Sequence, residues 1–267
     1  MTYGTLASLL KYPRSSAEVR KENGASFKKY GYFASEKQMF DSVAEKTGLY
    51  GHRHPLAFLL EAADDIAYSA GDLEDGFKKG VLTWEDLLSI LETKLQNDND
   101  KQLIEVLKKG ENRYDAVQLF RIKIQGKMLT DTAKIFVDNI KSIMNGVFDK
   151  NLLECSESAD LHKVLKNEIG LKKVYASEEV VEQEIVSSKV IDGLLDMFVE
   201  ALMSGKYQDP KTKEGKLYSL ISPNFKNIFK KTDKSPYHKL RLVTDYISGM
   251  TDSYALALYQ KFWGYRI

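Results

Sequence analysis

The chain has 267 residues, which allows one or two domains, and 43% of them are hydrophobic and 29% charged. This composition excludes a disordered or low-complexity chain, and the formal charge of +1 excludes a global field that would recruit a polyanion. The apolar runs are too short for a membrane span, the sequence shows no secretory signal, and Cys155 is the single cysteine. For these three reasons we expect a soluble cytoplasmic protein without a membrane partner.

The spacing of apolar residues predicts an all-α protein, because they recur every three or four positions and strand-like alternation is nearly absent. Residues 172–176 are the one extended candidate, and they follow a stretch of weak periodicity at 152–171. Residues 12–29 and 207–215 are predicted to be loops. The predicted helices span residues 36–46, 55–79, 83–96, 98–109, 112–148, 180–204, 216–222, 223–229 and 235–262.

The predicted helix 55–79 has two contrasting faces. Its apolar face consists of Leu59, Ile66, Ala70, Leu73 and Phe77, and its acidic face of Glu61, Asp64, Asp65, Tyr68 and Asp72. Around the helix axis the apolar residues lie within about 60° of one another, and the acidic face covers about 100° on the opposite side. We predict that the apolar set is buried and that Asp64, Tyr68 and Asp72, spaced four apart, face a common cleft.

The acidic row has two interpretations. It can hold a divalent metal ion through one carboxylate, while the phenol and the second carboxylate contact whatever the metal activates. Alternatively, it is the solvated face that any surface helix carries. Repulsion between neighbouring carboxylates without an interleaved lysine, and the presence of a tyrosine, weaken the second interpretation.

The histidines and the cysteine form no catalytic motif. His52 and His54 precede the acidic helix and suit a turn or helix start better than a metal site, and His162 and His238 are isolated. Cys155 has no neighbouring histidine or basic residue that would lower its pKa, which predicts a buried or half-buried thiol.

A basic segment with interleaved aromatic residues precedes the acidic helix. Lys11 and Tyr12 begin it, and Lys29 lies in the sequence FKKYGYF at residues 27–33. Lysines in such a segment can neutralise phosphates while a ring stacks on a base or sugar. An ordinary solvated loop with aromatic anchors is the alternative.

Three segments carry a resemblance to a known family. They are LASLLKYPR at residues 6–14, HPLAFLLEAADDIAY at 54–68 with DLED at 72–75, and DYISGMTD at 245–252. In this order they resemble bacterial dGTP triphosphohydrolases of the HD-domain superfamily, and the resemblance extends over nearly the whole chain.

The resemblance implies an all-α, HD-domain-like bundle that hydrolyses dGTP, or several dNTPs, to the deoxynucleoside and inorganic triphosphate. It implies a divalent metal cofactor, Mg²⁺ or Mn²⁺, with Asp64 as a metal ligand and Asp65 as the alternative. Because family members are oligomers, it also implies a homo-oligomer. The implied substrate contacts are Lys11, Tyr12, Lys29, Tyr68, Asp72, Glu184 and Arg241.

The chain departs from the family pattern because it contains no His-Asp dipeptide. The resemblance therefore implies the C-terminal part of the enzyme only, with residues 1–150 belonging to the catalytic core and residues 151–267 forming a helical region packed on it. One carboxylate cannot hold a catalytic metal ion tightly, so we expect this chain to be inactive alone. The alternative function is a non-catalytic helical module that assembles with itself or binds single-stranded nucleic acid.

Overall fold

The computed structural model describes residues 1–265, where the regular elements are helices and no strand occurs, so the all-α prediction is confirmed. The chain divides into two compact units, Met1–Ser177 and Glu178–Ile267. The domain boundary expected after residue 150 stays a prediction. Within the first unit, Leu153 and Leu161 share one buried core with Leu73, so the segment that follows residue 150 packs with the segment before it.

The first unit is built around one long helix, Pro55–Lys78, that packs on a second long helix and on a π-helical segment. The core between them is closed by fully buried side chains such as Leu73, Phe120 and Leu165. In chain order its elements are α1 (Tyr3–Ser8), α2 (Lys37–Thr47), α3 (Pro55–Lys78), α4 (Trp84–Lys94), α5 (Asp98–Lys108), α6 (Arg113–Asp138), α7 (Ile140–Met144), α8 (Ala159–Lys163) and the π-helical segment Val164–Val174.

The second unit is a smaller bundle around α9. Phe198 of α9 is fully buried and meets the ring of Tyr246 edge-on at 5.3 Å between centroids. In the part of the chain that the structure describes, none of the helices is both long and apolar enough to span a bilayer. The helices of this unit are α9 (Glu178–Met203), α10 (Lys213–Leu220), α11 (Pro223–Phe229), α12 (Pro236–Ser248) and α13 (Asp252–Phe262).

Half of residues 12–29, predicted to be a loop, fold as three short 3₁₀ turns. Asp149 holds the last turn, because the backbone N–H and the hydroxyl of Ser26 each donate to its carboxylate at 2.9 Å. Gly24, at φ +132°, lies so close that a Cβ would collide with the same carboxylate. A contact between residues 123 positions apart thus fixes the basic segment.

Several sequence expectations are wrong in detail. The extended segment 172–176 is absent, because the π-helical segment continues through Val174 and the N–H of Tyr175 donates to the carbonyl of Gly170 at 2.8 Å. The helix predicted at 235–262 is two helices, because the hydroxyl of Thr251 accepts the N–H of Tyr254 and starts α13.

Three further expectations also need correction. The helix predicted at 112–148 ends at Asp138, since Asn139 leaves helical geometry. The loop predicted at 207–215 ends earlier, because Thr212 caps α10. Cys155 is exposed rather than buried, since it lies in the irregular turns before α8 and points away from the core.

Candidate functional site

Helix α3 starts with a side-chain cap and keeps the two faces that the sequence predicts. The ring nitrogen Nδ1 of His54 accepts the N–H of Leu56 at 3.1 Å, and proline occupies the first helical position. Ile66, Leu73 and Phe77 are buried, as predicted. This local pattern follows from helical periodicity, because residues three, four and seven apart share one face.

The acidic face of α3 is only partly exposed to solvent, because the side chain of Glu61 is largely buried. Asp64 is exposed, Tyr68 is 65% exposed, and Asp72 is half-buried. In the part of the chain that the structure describes, Asp64 forms no hydrogen bond or ion pair. Its carboxylate is therefore available for an external ligand.

Asp65, the neighbouring carboxylate, is already engaged. It accepts a hydrogen bond from the side-chain amide of Asn151 at 3.0 Å. The buried ring of His162 lies close enough for the Asp65 charge to act on it, yet burial outweighs this attraction and lowers the pKa of His162. Sequence reasoning gave neither Asn151 nor His162 a place near α3.

Asp72 is held by a residue from the far end of the first unit. The hydroxyl of Tyr175 donates to the Asp72 carboxylate, although the two residues are 103 positions apart. This hydrogen bond, followed by burial and by the charges of Asp72 and Tyr68, raises the pKa of Tyr175 to about 12. Tyr68, Asp72 and Tyr175 thus form one polar cluster on the surface.

Lys11 reaches α3 from the N-terminal segment. Its ammonium lies 3.2 Å from the Glu61 carboxylate, which also binds the buried guanidinium of Arg53. Burial lowers the pKa of Lys11, but the attraction of Glu61 and the weaker attractions of Tyr12 and Asp65 exceed that effect and raise it. The structure therefore places one predicted cation beside the acidic helix.

The other predicted substrate contacts are distributed over both units. Tyr12 is half-buried, and the ammonium of Lys11 lies over its ring at 5.7 Å from the centroid. Lys29 is exposed, and its contact with the substrate stays a prediction. Glu184 is exposed on α9, and Arg241 pairs with Asp245 within α12. These last two belong to the second unit.

A solvent-exposed apolar face accompanies the acidic residues. On α3 it begins with Leu60, and on α6 it contains Ile122, Leu129 and Val137, all of them exposed. A groove of about 490 Å³ between the two helices is lined by residues such as Ala63 and Leu129. Large apolar faces of this kind mark interaction surfaces.

The residues present fit part of a metal site. Among residues 1–265, no three His, Cys, Asp or Glu side chains are arranged to hold a metal ion. Asp64 offers one unpaired carboxylate, which is a ligand that Mg²⁺ and Mn²⁺ prefer. Other ligands would have to come from outside the described residues.

The comparisons with known proteins find relatives that match nearly the whole chain. Residues 155–261 match the phosphohydrolase-associated domain. The chain is 34% identical over 278 residues to a deoxyguanosinetriphosphate triphosphohydrolase-like protein of Listeria monocytogenes, with 98% of this chain and 59% of the relative covered. The Listeria innocua relative gives the same values, and a Synechocystis relative is 34% identical over 281 residues, covering 99% and 60%.

The chain therefore spans about three fifths of the length of these relatives. The matched portion is their C-terminal part. The resemblance carried by the three sequence segments is confirmed: over nearly its whole length, this chain resembles the C-terminal part of the deoxyguanosinetriphosphate triphosphohydrolase-like proteins.

Proposed function

We propose that this chain is the C-terminal part of a metal-dependent dNTP triphosphohydrolase that converts dGTP to deoxyguanosine and inorganic triphosphate. The observation that carries the proposal is the solvent face of α3, where the unpaired Asp64 is followed one and two turns later by Tyr68 and Asp72. The names of relatives that match 98% of the chain support the substrate class.

Asp64 is the metal ligand in this proposal. Asp65 fits less well because its carboxylate already accepts a hydrogen bond from Asn151. A bound Mg²⁺ or Mn²⁺ would polarise the α-phosphate and lower the pKa of the attacking water. We assign the remaining ligands to the two fifths of the relatives that this chain does not match.

The reaction forms a bond between a water oxygen and the α-phosphorus and breaks the bond from that phosphorus to the 5′ oxygen, which takes up a proton. Tyr68 and Asp72 would position the deoxyribose, and Tyr175 would keep Asp72 in place through its hydrogen bond. Ammonium groups stabilise phosphate oxygens, which suits Lys11 and Lys29.

The remaining assignments extend this proposal. Tyr12, Glu184 and Arg241 would contact the substrate, and the whole protein would work as a cytoplasmic homo-oligomer. The exposed apolar face beside Asp64 supports coverage by further polypeptide, because Leu129 and Val137 are 63% and 65% exposed. A non-catalytic module that binds single-stranded nucleic acid is the competing function.

The test measures triphosphate release from dGTP with Mn²⁺. The 267-residue chain alone should give background release, since it supplies one of several metal ligands. A chimera in which this chain replaces the matched part of the Listeria monocytogenes relative should turn over. In that chimera Asp64→Asn should lower kcat/KM by more than about 100-fold, and the matched Asp65→Asn by less.

Three results would contradict the proposal. Robust metal-dependent release by the 267-residue chain alone would remove the need for outside ligands. Full activity of a folded Asp64→Asn chimera, with circular dichroism unchanged, would take Asp64 out of the chemistry. Failure of every folded chimera to hydrolyse any dNTP, together with tight binding of an oligonucleotide, would favour the non-catalytic module.

A further inference from the structure

The second unit carries a concentrated positive charge that the overall composition hides. Residues 206–239 contain nine lysines against three aspartate and glutamate residues, whereas the whole chain has a formal charge of only +1. A local field of this kind attracts anions even when the molecule is nearly neutral. The dGTP hydrolysis proposed above makes no use of this segment.

Three of these lysines border one cavity. It measures about 450 Å³, a volume typical of small-molecule sites. Tyr207 and Tyr218 contribute aromatic wall, and Lys226, Lys230 and Lys234 contribute the charges. No carboxylate occurs among the described residues that line it.

The charges of these three lysines are not neutralised by ion pairs. Within residues 1–265, none of the three has a carboxylate oxygen within salt-bridge distance. Lys226 lies over the ring of Tyr218 at 5.4 Å and donates to a backbone carbonyl at 3.0 Å. The nearest acidic residue in sequence, Asp233, pairs with His238 at 2.6 Å instead.

The backbone at Lys234 is also unusual. Its φ of +55° lies in the left-handed region, which glycine and asparagine adopt far more readily than lysine does. Residues held in that region often belong to functional sites, where the surrounding structure maintains the strain. Here the strained residue is one of the three that border the cavity.

We propose that this cavity binds a polyphosphate group. Three ammonium groups border this cavity without a carboxylate and repel one another. A multiply charged phosphate chain reduces that repulsion and accepts charge-assisted hydrogen bonds. The half-buried Tyr218 in the cavity wall can contact a ring attached to the phosphates. The ligand is therefore inorganic triphosphate or a nucleoside triphosphate, which share this chemistry.

The experiment is isothermal titration calorimetry of the full chain in EDTA, with sodium tripolyphosphate and dGTP as separate probes. The pocket variant is Lys226→Gln/Lys230→Gln/Lys234→Gln. The matched control, Lys211→Gln/Lys213→Gln/Lys216→Gln, removes the same charge from lysines of the same unit that do not line the cavity. Circular dichroism and thermal midpoints check that both variants fold.

We expect the wild-type chain and the control to bind alike, and the pocket variant to bind at least about 100-fold more weakly, because each charge-assisted hydrogen bond contributes about tenfold or more. Tighter binding of dGTP than of tripolyphosphate would identify a nucleotide, and equal binding would identify the phosphate chain alone.

Other outcomes would overturn the proposal. Equal weakening in both triple variants would indicate diffuse charge, and absence of binding by the wild-type chain would remove the site. Binding of oligothymidylate that both variants weaken would indicate a nucleic-acid surface. Loss of tripolyphosphate binding in Lys11→Gln would place the site beside α3, whereas retained binding keeps this inference independent of the hydrolase proposal.

Discussion

Replacing Glu61 with leucine will leave the guanidinium of Arg53 buried without a carboxylate partner. The Arg53 and Glu61 side chains are 2% and 9% exposed, and removing one member of such a buried pair costs about 3–5 kcal/mol of folding free energy. The second partner of Glu61, Lys11, is 34% exposed and adds less than about 1 kcal/mol. We therefore expect Glu61→Leu to lower the free energy of unfolding by about 3–5 kcal/mol.

The double variant Arg53→Met/Glu61→Leu tests the cause. Methionine preserves part of the contact that Arg53 makes over the ring of Phe58, and with both charges gone no unpaired charge remains in the core. The double variant should therefore recover at least about 2 kcal/mol of the loss. Asp64→Asn, an exposed carboxylate on the same helix, is the control and should change stability by less than about 0.5 kcal/mol.

Urea unfolding followed by tryptophan fluorescence measures these differences. The two tryptophans lie in different units, so a Trp263→Phe background lets Trp84 report on the first unit alone. A loss below about 1 kcal/mol in Glu61→Leu, or a double variant as unstable as the single one, would refute the buried-pair argument.

The remaining predictions concern single positions. Burial lowers the pKa of His162 below 6.5, so as the pH falls the unfolded chain takes up a proton before the native protein does, and the free energy of unfolding decreases. Urea unfolding at pH 7.5 and 5.5 measures this decrease, which should be smaller in His162→Leu than in His52→Gln, the control at an exposed position. Gly126→Ala adds a methyl group in open space on α6 and should raise the free energy of unfolding by about 0.5–1 kcal/mol. Gly31→Ala should lower it, because the added Cβ collides with a backbone oxygen. Denaturation midpoints equal to that of the unmodified chain would contradict both predictions. Exposed Cys155 should react with Ellman's reagent in the native protein, and reaction only after denaturation would show that it is buried.

The periodicity of apolar residues predicted helices well where the burial of a side chain depends only on its position around the helix axis. On α3 the buried side chains recur at helical spacing, although Leu59 is half-buried rather than fully buried. Periodicity failed at 172–176, where residue preferences suggested a strand. There the packing decides, because Gly76 has no Cβ and Val174 comes so close that an added Cβ would lie 2.6 Å from its methyl group.

The candidate site shows a similar division. The placement of Asp64, Tyr68 and Asp72 on one face of α3 follows from their spacing along a single helix. The partners of Asp65 and Asp72 do not follow from it, because Asn151 and Tyr175 come from 86 and 103 positions further along the chain. No pattern within one helix encodes such contacts, which depend on how the elements fold together.

The attachment of Ser26 to Asp149 has a consequence for the order of folding. During synthesis the basic segment leaves the ribosome long before its anchor, which follows 123 residues later. Contacts over such separations form late, because the entropy of closing a long loop opposes them until the intervening helices are in place. The nascent segment that holds Lys29 therefore stays unanchored until α2 to α7 have been made, and a chain truncated before Asp149 would retain the lysines without the contact that positions them.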